Sequence, residues 1–526
     1  MLQTCVSFPQ NPNVQFLLQT TSTPPSSSSL PNLTSSSPAS GVSLLPVRSV
    51  RISTPFLLSC AAFRNTATTG DNKSRPVIRW KDIYNKVWLL ENSGNGISGV
   101  LNQCEIDGKT FEKHELFVFV KNLRKFRRYN YALEVFDWMS NRPERFDLFN
   151  SSDMAVKLDL IAKVHGISSA EDFFTRIPDD KKERRLYGAL LNAYVEANSK
   201  ERAEVLMDKM RKEGLASFPL SFNRMMTMYM KLKEYNKVEE IVSDMKRCKI
   251  RLDLYSYNIW LYARGSQGSI IGLEEVFQEL EQNQYVFPDW TTFSSMATLY
   301  LSLGKLEKAK ACMKSLEEKL DGENRSPYHY LLNLYGRVGE KEEVYRVWNM
   351  YKSKFEMMTN WGYHSMVHSL VQVGDIEGAE HFYNEWFTVK SAYDARISNI
   401  LLQWYVKEGL FEKVESFFAH MEQGGGKMIA STWEILAEYH IKQRRVSDAL
   451  NCFRQAKSTG YWRPRSAKLL PFLELCEQES DESCKEEMIR LLREMGFSYD
   501  ELPKSDPDDE TGWSGNIDSE MLLSVT

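Results

Sequence analysis

An aromatic residue returns along this chain at a nearly constant interval. It stands at Tyr187, Phe222, Tyr257, Phe293, Tyr328 and Tyr363, in steps of 35, 35, 36, 35 and 35, and then at Trp433 after a step of 70. The midpoint of that last step, Ser398, falls inside "RISNILLQWYVKEGLFEKVESFF", which is another copy of the same segment. Sixteen residues beyond these positions lie Ala203, Val238, Leu273, Ala309, Val344, Ala379, Val414 and Ala449. Seven further on lie Met210, Met245, Leu280, Leu316, Tyr351, Trp386, Met421 and Ala456. Three columns in phase over eight copies mark a repeat array, in which each unit must bury its apolar face on its neighbours.

Each copy reads as two helices. In "SFNRMMTMYMKLKEYNKVEEIVSDMKRCKI", Phe222, Met225, Met226 and Tyr229 follow helical spacing, and so do Val238, Ile241, Val242 and Met245. Helices this short are marginal alone in water, because nucleation is costly and each hides only one stripe. Stacking supplies the missing surface, and adaptable methionine packing accounts for the Met-rich stretch from Met207 to Met230. Two weaker copies precede these eight, giving units at 113–151, 152–183, 184–218, 219–253, 254–289, 290–324, 325–359, 360–394, 395–429 and 430–464. Residues 71–112 read as an N-terminal capping region with a short helix around "WKDIYNKVWLL". Residues 465–500 read as C-terminal capping helices, at 466–478 and 484–495, and the acid-rich 501–526 as a disordered tail.

The chain of 526 residues is 42% hydrophobic and 26% charged, with no run approaching the roughly 18 apolar residues of a membrane helix, so no membrane insertion is expected. The first 70 residues differ in kind: they hold no Asp or Glu, and nine of the twenty from Thr21 to Ser40 are Ser. Such a segment reads as an organelle transit peptide. Its uncharged opening favours the chloroplast, with the mitochondrion as the alternative. Without its three Arg (48, 51 and 64) the remainder has 63 basic and 70 acidic residues, a net charge of −7. That balance argues against gripping phosphates by bulk charge. The six Cys beyond residue 70 (104, 248, 312, 452, 476 and 484) form no Cys-x-x-Cys pair, so neither a zinc ribbon nor a disulfide framework is expected.

Tetratricopeptide repeats run at about 34 residues with a Trp-x-x-Leu-Gly-x-x-Tyr pattern. Here the period is 35, a Tyr-Asn pair opens the first helix ("SYNIW"), and an Asp ends the unit ("RLD", "FPD"). In these features the chain resembles the pentatricopeptide repeat (PPR) family of plant organelles, P class, over 352 of its 526 residues. The expected fold is all-α: a right-handed α-solenoid of about ten 35-residue helix-turn-helix repeats. The resemblance implies sequence-selective binding of single-stranded organellar RNA in transcript processing, stability, splicing or translation, with other RNA-processing proteins as further partners. Each repeat would read one base.

In the family, base readout falls to the fifth and last residues of a repeat, while the second residue sandwiches the base. Carried onto this chain, Asn223 with Asp253 and Asn258 with Asp289 match the combination preferring uracil, and Ser294 with Asn324 the one preferring adenine. Their second-position residues, for base stacking, are Leu220, Tyr255 and Thr291. Phosphate contact falls to the thirteenth position: Lys125, Lys231, Arg337, Lys407 and Lys442. Gly188 with Phe218, His329 with Thr359 and Glu434 with Pro464 depart from the code, and His364 with Asp394 and Asn399 with Ile429 match by half. Asn is also favoured as a helix N-cap, which is the alternative reading of Asn223 and Asn258. The alternative function is an α-solenoid protein–protein scaffold.

Enzyme chemistry finds no support. The His-x-Glu of a zinc deaminase occurs only at His420 to Glu422, with no Cys-x-x-Cys after it. His364 and His368 have i, i+4 spacing without the Glu of a zinc protease. "GGG" at 424–426 ends a helix instead of opening one, unlike a phosphate loop. No catalytic residue, cofactor or metal is expected.

Overall fold

A computed structural model describes residue 83 and residues 96–146, 150–390, 392–460 and 462–497. The expected transit peptide, the acidic tail and, apart from Ile83, the short helix expected around residues 80–90 lie outside the described residues.

Every regular element among the described residues is helical. Ile97–Ile106 comes first, and from Lys113–Lys125 with Tyr129–Ser140 onward the helices run in pairs. Pro219–Lys231 with Tyr235–Arg247 and Leu254–Ser266 with Ile270–Glu281 are typical. The pairing continues through Ala430–Lys442 with Val446–Ser458 to a last hairpin, Ser466–Gln478 with Glu482–Glu494. This is the expected α-solenoid of helix-turn-helix repeats. No described helix is long and apolar enough to cross a membrane, and the six described cysteines are all free.

The sequence columns are the spine of the core. All eight residues of the second column, from Ala203 to Ala449, have 0% exposure, and the third column from Met210 to Ala456 is as deeply buried. Small or branched side chains there let the two helices of a hairpin approach closely. Burying each Leu, Val or Met contributes roughly 1.5–3 kcal/mol, gained only once the neighbouring unit is in place.

The two helices of a unit are buried differently, which decides the layering. Tyr235–Arg247 hides one stripe: Val238, Ile241, Val242 and Met245. Pro219–Lys231 hides Phe222, Met225, Met226, Met228 and Tyr229, and also polar Ser221, Asn223 and Thr227. Successive first helices pack on one another along the array, whereas contacts between successive second helices are sparser. Elements crowd on the inside of a curved stack and spread on its outside, so the first helices form the inner layer.

Polar staples tie several of the first helices to the second helix before them. The Tyr405 hydroxyl donates to Glu380 at 2.7 Å, and Lys413 reaches the same carboxylate oxygen at 2.9 Å. Tyr194 and Arg202 converge likewise on Glu171, Tyr300 and Lys308 on Glu274, and Tyr335 and Arg346 on Glu317. A left-handed residue closes each first helix, at Asn198, Lys233, Gly268, Gly304, Gly339, Gly374, Gly409 and Arg444. At this position glycine avoids the Cβ clash that Asn, Lys and Arg must bear.

The amino-terminal end has its own core, formed by Ile97, Leu101, Phe119, Phe136, Trp138 and their neighbours, which meets the main core on helix Ser151–His165. Ion pairs Lys113–Asp153 (2.6 Å) and Arg124–Asp159 (2.8 Å) span this joint.

Candidate nucleic-acid interface

The fifth residues of successive repeats form a row along the inner layer: Asn223, Asn258, Ser294, His329, His364, Asn399 and Glu434, all buried. Local sequence sets this register. Pro219 stands at the first helical turn, where its missing N–H costs nothing, so Asn223 is the fifth helical residue. Asp253 caps the next helix, accepting from the Ser256 backbone N–H at 2.7 Å, so that Asn258 is again the fifth residue. The N-cap reading of Asn223 and Asn258 is therefore corrected. Capping belongs to Asp253 and Asp289, and the latter accepts from the N–H groups of Thr291 and Thr292.

The structure brings the first predicted pair together. Asn223 Nδ2 donates to Asp253 Oδ1 at 3.0 Å across the repeat boundary. Its Oδ1 accepts from the Ser256 hydroxyl at 2.7 Å. The second pair is joined through an intermediate: Asn258 Nδ2 donates to Thr291 Oγ1 at 2.9 Å, and that hydroxyl donates to Asp289. Thr292 donates to Asn258 Oδ1 at 2.8 Å. The third pair is engaged separately: Ser294 Oγ donates to the Thr291 carbonyl at 3.1 Å, and Asn324 Oδ1 accepts from the Ser326 N–H at 3.0 Å.

The off-code repeats fill the same row with other chemistry. Glu434 accepts from Trp462 Nε1 at 3.0 Å and from the Arg465 guanidinium at 3.4 Å. Asp394 caps its helix and holds Arg396 through two side-chain bonds of 2.9 and 2.7 Å. The His364 imidazole stacks on Trp361, with centroids 5.5 Å apart and planes at 12°, and faces His368 at 6.2 Å. Burial, reinforced by Arg325, pushes the His329 imidazole down to about 3. Burial also pushes His368 down to about 4. For His364, burial is joined by repulsion from His368, Arg396 and His329, which holds it well below the usual histidine range. These rings are thus neutral near pH 7. Thr359 caps its helix through the Gly362 N–H. Phe218 is exposed beneath the Arg184 guanidinium, 4.0 Å from its ring centroid.

The second-position residues differ in what they present. Leu220 is 57% exposed, Tyr255 is half-buried with its hydroxyl near Thr227, and Thr291 is buried between Asn258 and Asp289. Among the thirteenth-position cations, Lys125, Lys231, Arg337 and Lys407 are exposed at or beside the last residue of a first helix. Positive charge there complements the helix dipole, typically by 0.3–1 kcal/mol. Lys442 is also on the surface, but its ammonium donates to the Val406 carbonyl at 2.9 Å and lies 3.6 Å from Glu438.

Sequence reasoning missed the hydroxyls at the third position of the following repeat. Ser256, Thr292 and Thr432 each donate to the Asn one repeat earlier, the last to Asn399 Oδ1 at 2.9 Å. Their signal was available as a Ser or Thr 33 or 34 residues after each of these Asn.

Residues 185–231 match the pentatricopeptide repeat domain family, and residues 220–250, 291–319 and 397–426 match the PPR repeat family. The chain is 48% identical over 431 residues to the Arabidopsis thaliana pentatricopeptide repeat-containing protein At1g02150, covering 81% of this chain and 82% of that one. It is 32% identical over 439 residues to large ribosomal subunit protein mL101 (rPPR4) of the same organism, covering 82% of this chain and 89% of that one. Among solved structures, the pentatricopeptide repeat protein PPR10 in complex with an 18-nt psaJ RNA element aligns with a TM-score of 0.45 at 16% identity, over 68% of this chain and 57% of that one.

Proposed function

The chain belongs to the pentatricopeptide repeat family, and on that premise we propose that it is a sequence-selective binder of single-stranded RNA in an organelle, acting in transcript processing, stability, splicing or translation. The observation that carries this reading is the link from Asn223 to Asp253, 3.0 Å long, between the fifth and last residues of a repeat on the inner layer. An amide and a carboxylate held side by side offer donors and acceptors to the edge of one base. Asn258 with Asp289, linked through Thr291, is proposed as the next reader, and Ser294 with Asn324, which engage other partners, as the third. Leu220 and Tyr255 offer surfaces on which bases would stack, whereas Thr291 is buried between Asn258 and Asp289. Lys125, Lys231, Arg337, Lys407 and Lys442 stand where phosphates would pass, supplying local positive charge on an acidic body.

The test is immunoprecipitation of the tagged protein from organelles with sequencing of the recovered RNA. Recovery of particular transcripts carrying U-U-A tracts is expected, and recovery no different from an untagged control would refute RNA binding. A second reading, assembly with other proteins, is favoured by the filled fifth positions at His329, His364 and Glu434. The similarity to a protein named as a component of a large ribosomal subunit points the same way. For the compartment we propose the chloroplast, from the acid-free, Ser-rich residues 1–70. Fused to a fluorescent protein, that segment should enter plastids; fluorescence in mitochondria alone would reverse the assignment.

A further inference from the structure

We infer that Ser256, Thr292 and Thr432 are positioning residues, whose hydroxyls fix the orientation of the reading amides of Asn223, Asn258 and Asn399. The inference rests on the RNA-binding reading above and extends it to residues outside the second, fifth and last positions.

A primary amide is nearly symmetric in shape. A half-turn about its last side-chain bond exchanges donor for acceptor, and a base edge meets the opposite pattern. Something must hold the amide if it is to discriminate. At all three Asn of the row, the Oδ1 atom accepts from a fully buried third-position hydroxyl of the following repeat, at 2.7, 2.8 and 2.9 Å. The hydroxyl is itself oriented. The Asp253 backbone N–H donates to Ser256 Oγ at 3.3 Å, and the Ile429 N–H to Thr432 Oγ1 at 3.4 Å. With a lone pair thus occupied, the hydroxyl proton turns outward, toward Asn Oδ1. Ser256 Oγ also lies 2.8 Å from Asp253 Oδ1, so its proton is shared between the two acceptors of the reader pair. At each Asn, Nδ2 is aimed the other way, to Asp253, Thr291 or Ser431.

The arrangement follows the Asn and not merely the fold. After His364 the third position carries Ile397, which has no side-chain donor. After Ser294, His329 and Glu434 the third position carries Pro327, Gly362 and Ala467, none of which has a side-chain donor.

The test compares the RNA sequences enriched from a randomised pool by the full protein, Ser256→Ala and Ser256→Thr. Removing one neutral hydrogen bond should weaken discrimination at the base facing Asn223 on the order of fivefold to tenfold. The base facing Asn258 should keep its preference, and Ser256→Thr should restore the wild-type pattern. Thr292→Ala, with Thr292→Ser as its rescue, should move the loss to the base facing Asn258. A thermal melt of each variant separates lost preference from lost structure, since an effect of folding alone would weaken all positions together. Enrichment by both alanine variants of the same sequences as wild type would overturn the inference while leaving RNA binding intact. A wild-type protein that enriches nothing would remove the RNA-binding reading, and the inference with it.

Discussion

The Asn223 amide donates to the Asp253 carboxylate at 3.0 Å, joining the fifth residue of one repeat to a residue that also caps the first helix of the next. On the proposed RNA-binding function, base reading and helix initiation would share one side chain. Asp253→Ala should remove the cap and leave a nearly buried amide donor without its acceptor, at a cost of roughly 1–2 kcal/mol. Asp253→Asn keeps a capping oxygen and should cost less. Thermal unfolding checks the order: wild type, then Asn, then Ala.

The Tyr405–Glu380–Lys413 staple predicts an asymmetry. Burial works against the Glu380 carboxylate, but bonds from Tyr405 and Lys413 hold its pKa below the usual range. Tyr405→Phe leaves the carboxylate with Lys413 and should cost about 1 kcal/mol. Glu380→Ala strands a buried tyrosine hydroxyl and should cost more, up to about 3 kcal/mol. Melting temperatures that reverse this order would mean the hydroxyl does not depend on Glu380.

The histidines of the central repeats predict an acid-labile region. The folded pKa values of His329 and His368, about 3 and about 4, lie below an unfolded value near 6.5, so the unfolded chain binds more protons in between. Stability from keeping these rings neutral is complete above about pH 6.5 and is lost as pH falls through about 4 for His368 and about 3 for His329. Thermal melts between pH 7.5 and 5.0 should show the decline, and His368→Leu should flatten part of it. An unchanged slope in that variant would place the acid sensitivity elsewhere.

The fold was legible because its columns repeat what burial demands: a closely packed small residue at Ala203, Val238 or Ala309 cannot drift without opening the hairpin. Ser398 interrupts the aromatic column, yet its hydroxyl bonds Tyr393 and Tyr383, so a polar link takes the ring's place. The left-handed turn column stayed hidden because Lys233 and Arg444 occupy it beside five glycines, and a strained backbone leaves no mark on side-chain chemistry. At the candidate interface, residue types identified Asn223, Asp253, Asn258 and Asp289, but not how they connect. The bridging role of Thr291 becomes evident only when neighbouring repeats are stacked, whereas Ser256 and Thr292 leave a signal in their spacing from the Asn. The N-cap reading of Asn223 failed although Pro219, four residues earlier, already marked the helix start.

The most direct test of the central claim, that fifth and last residues on the inner layer read RNA, is selection from a randomised RNA pool by wild type and Asn223→Thr. Wild type should enrich U-U-A at the bases facing units 219–253, 254–289 and 290–324, read 5′ to 3′. With Asp253 kept, Asn223→Thr makes the combination that family resemblance associates with guanine, so the enriched triplet should become G-U-A. Net charge is unchanged, and the salt dependence of binding should hardly move. Identical enrichment by the two proteins would contradict the claim and leave Asn223 a structural residue of the repeat boundary.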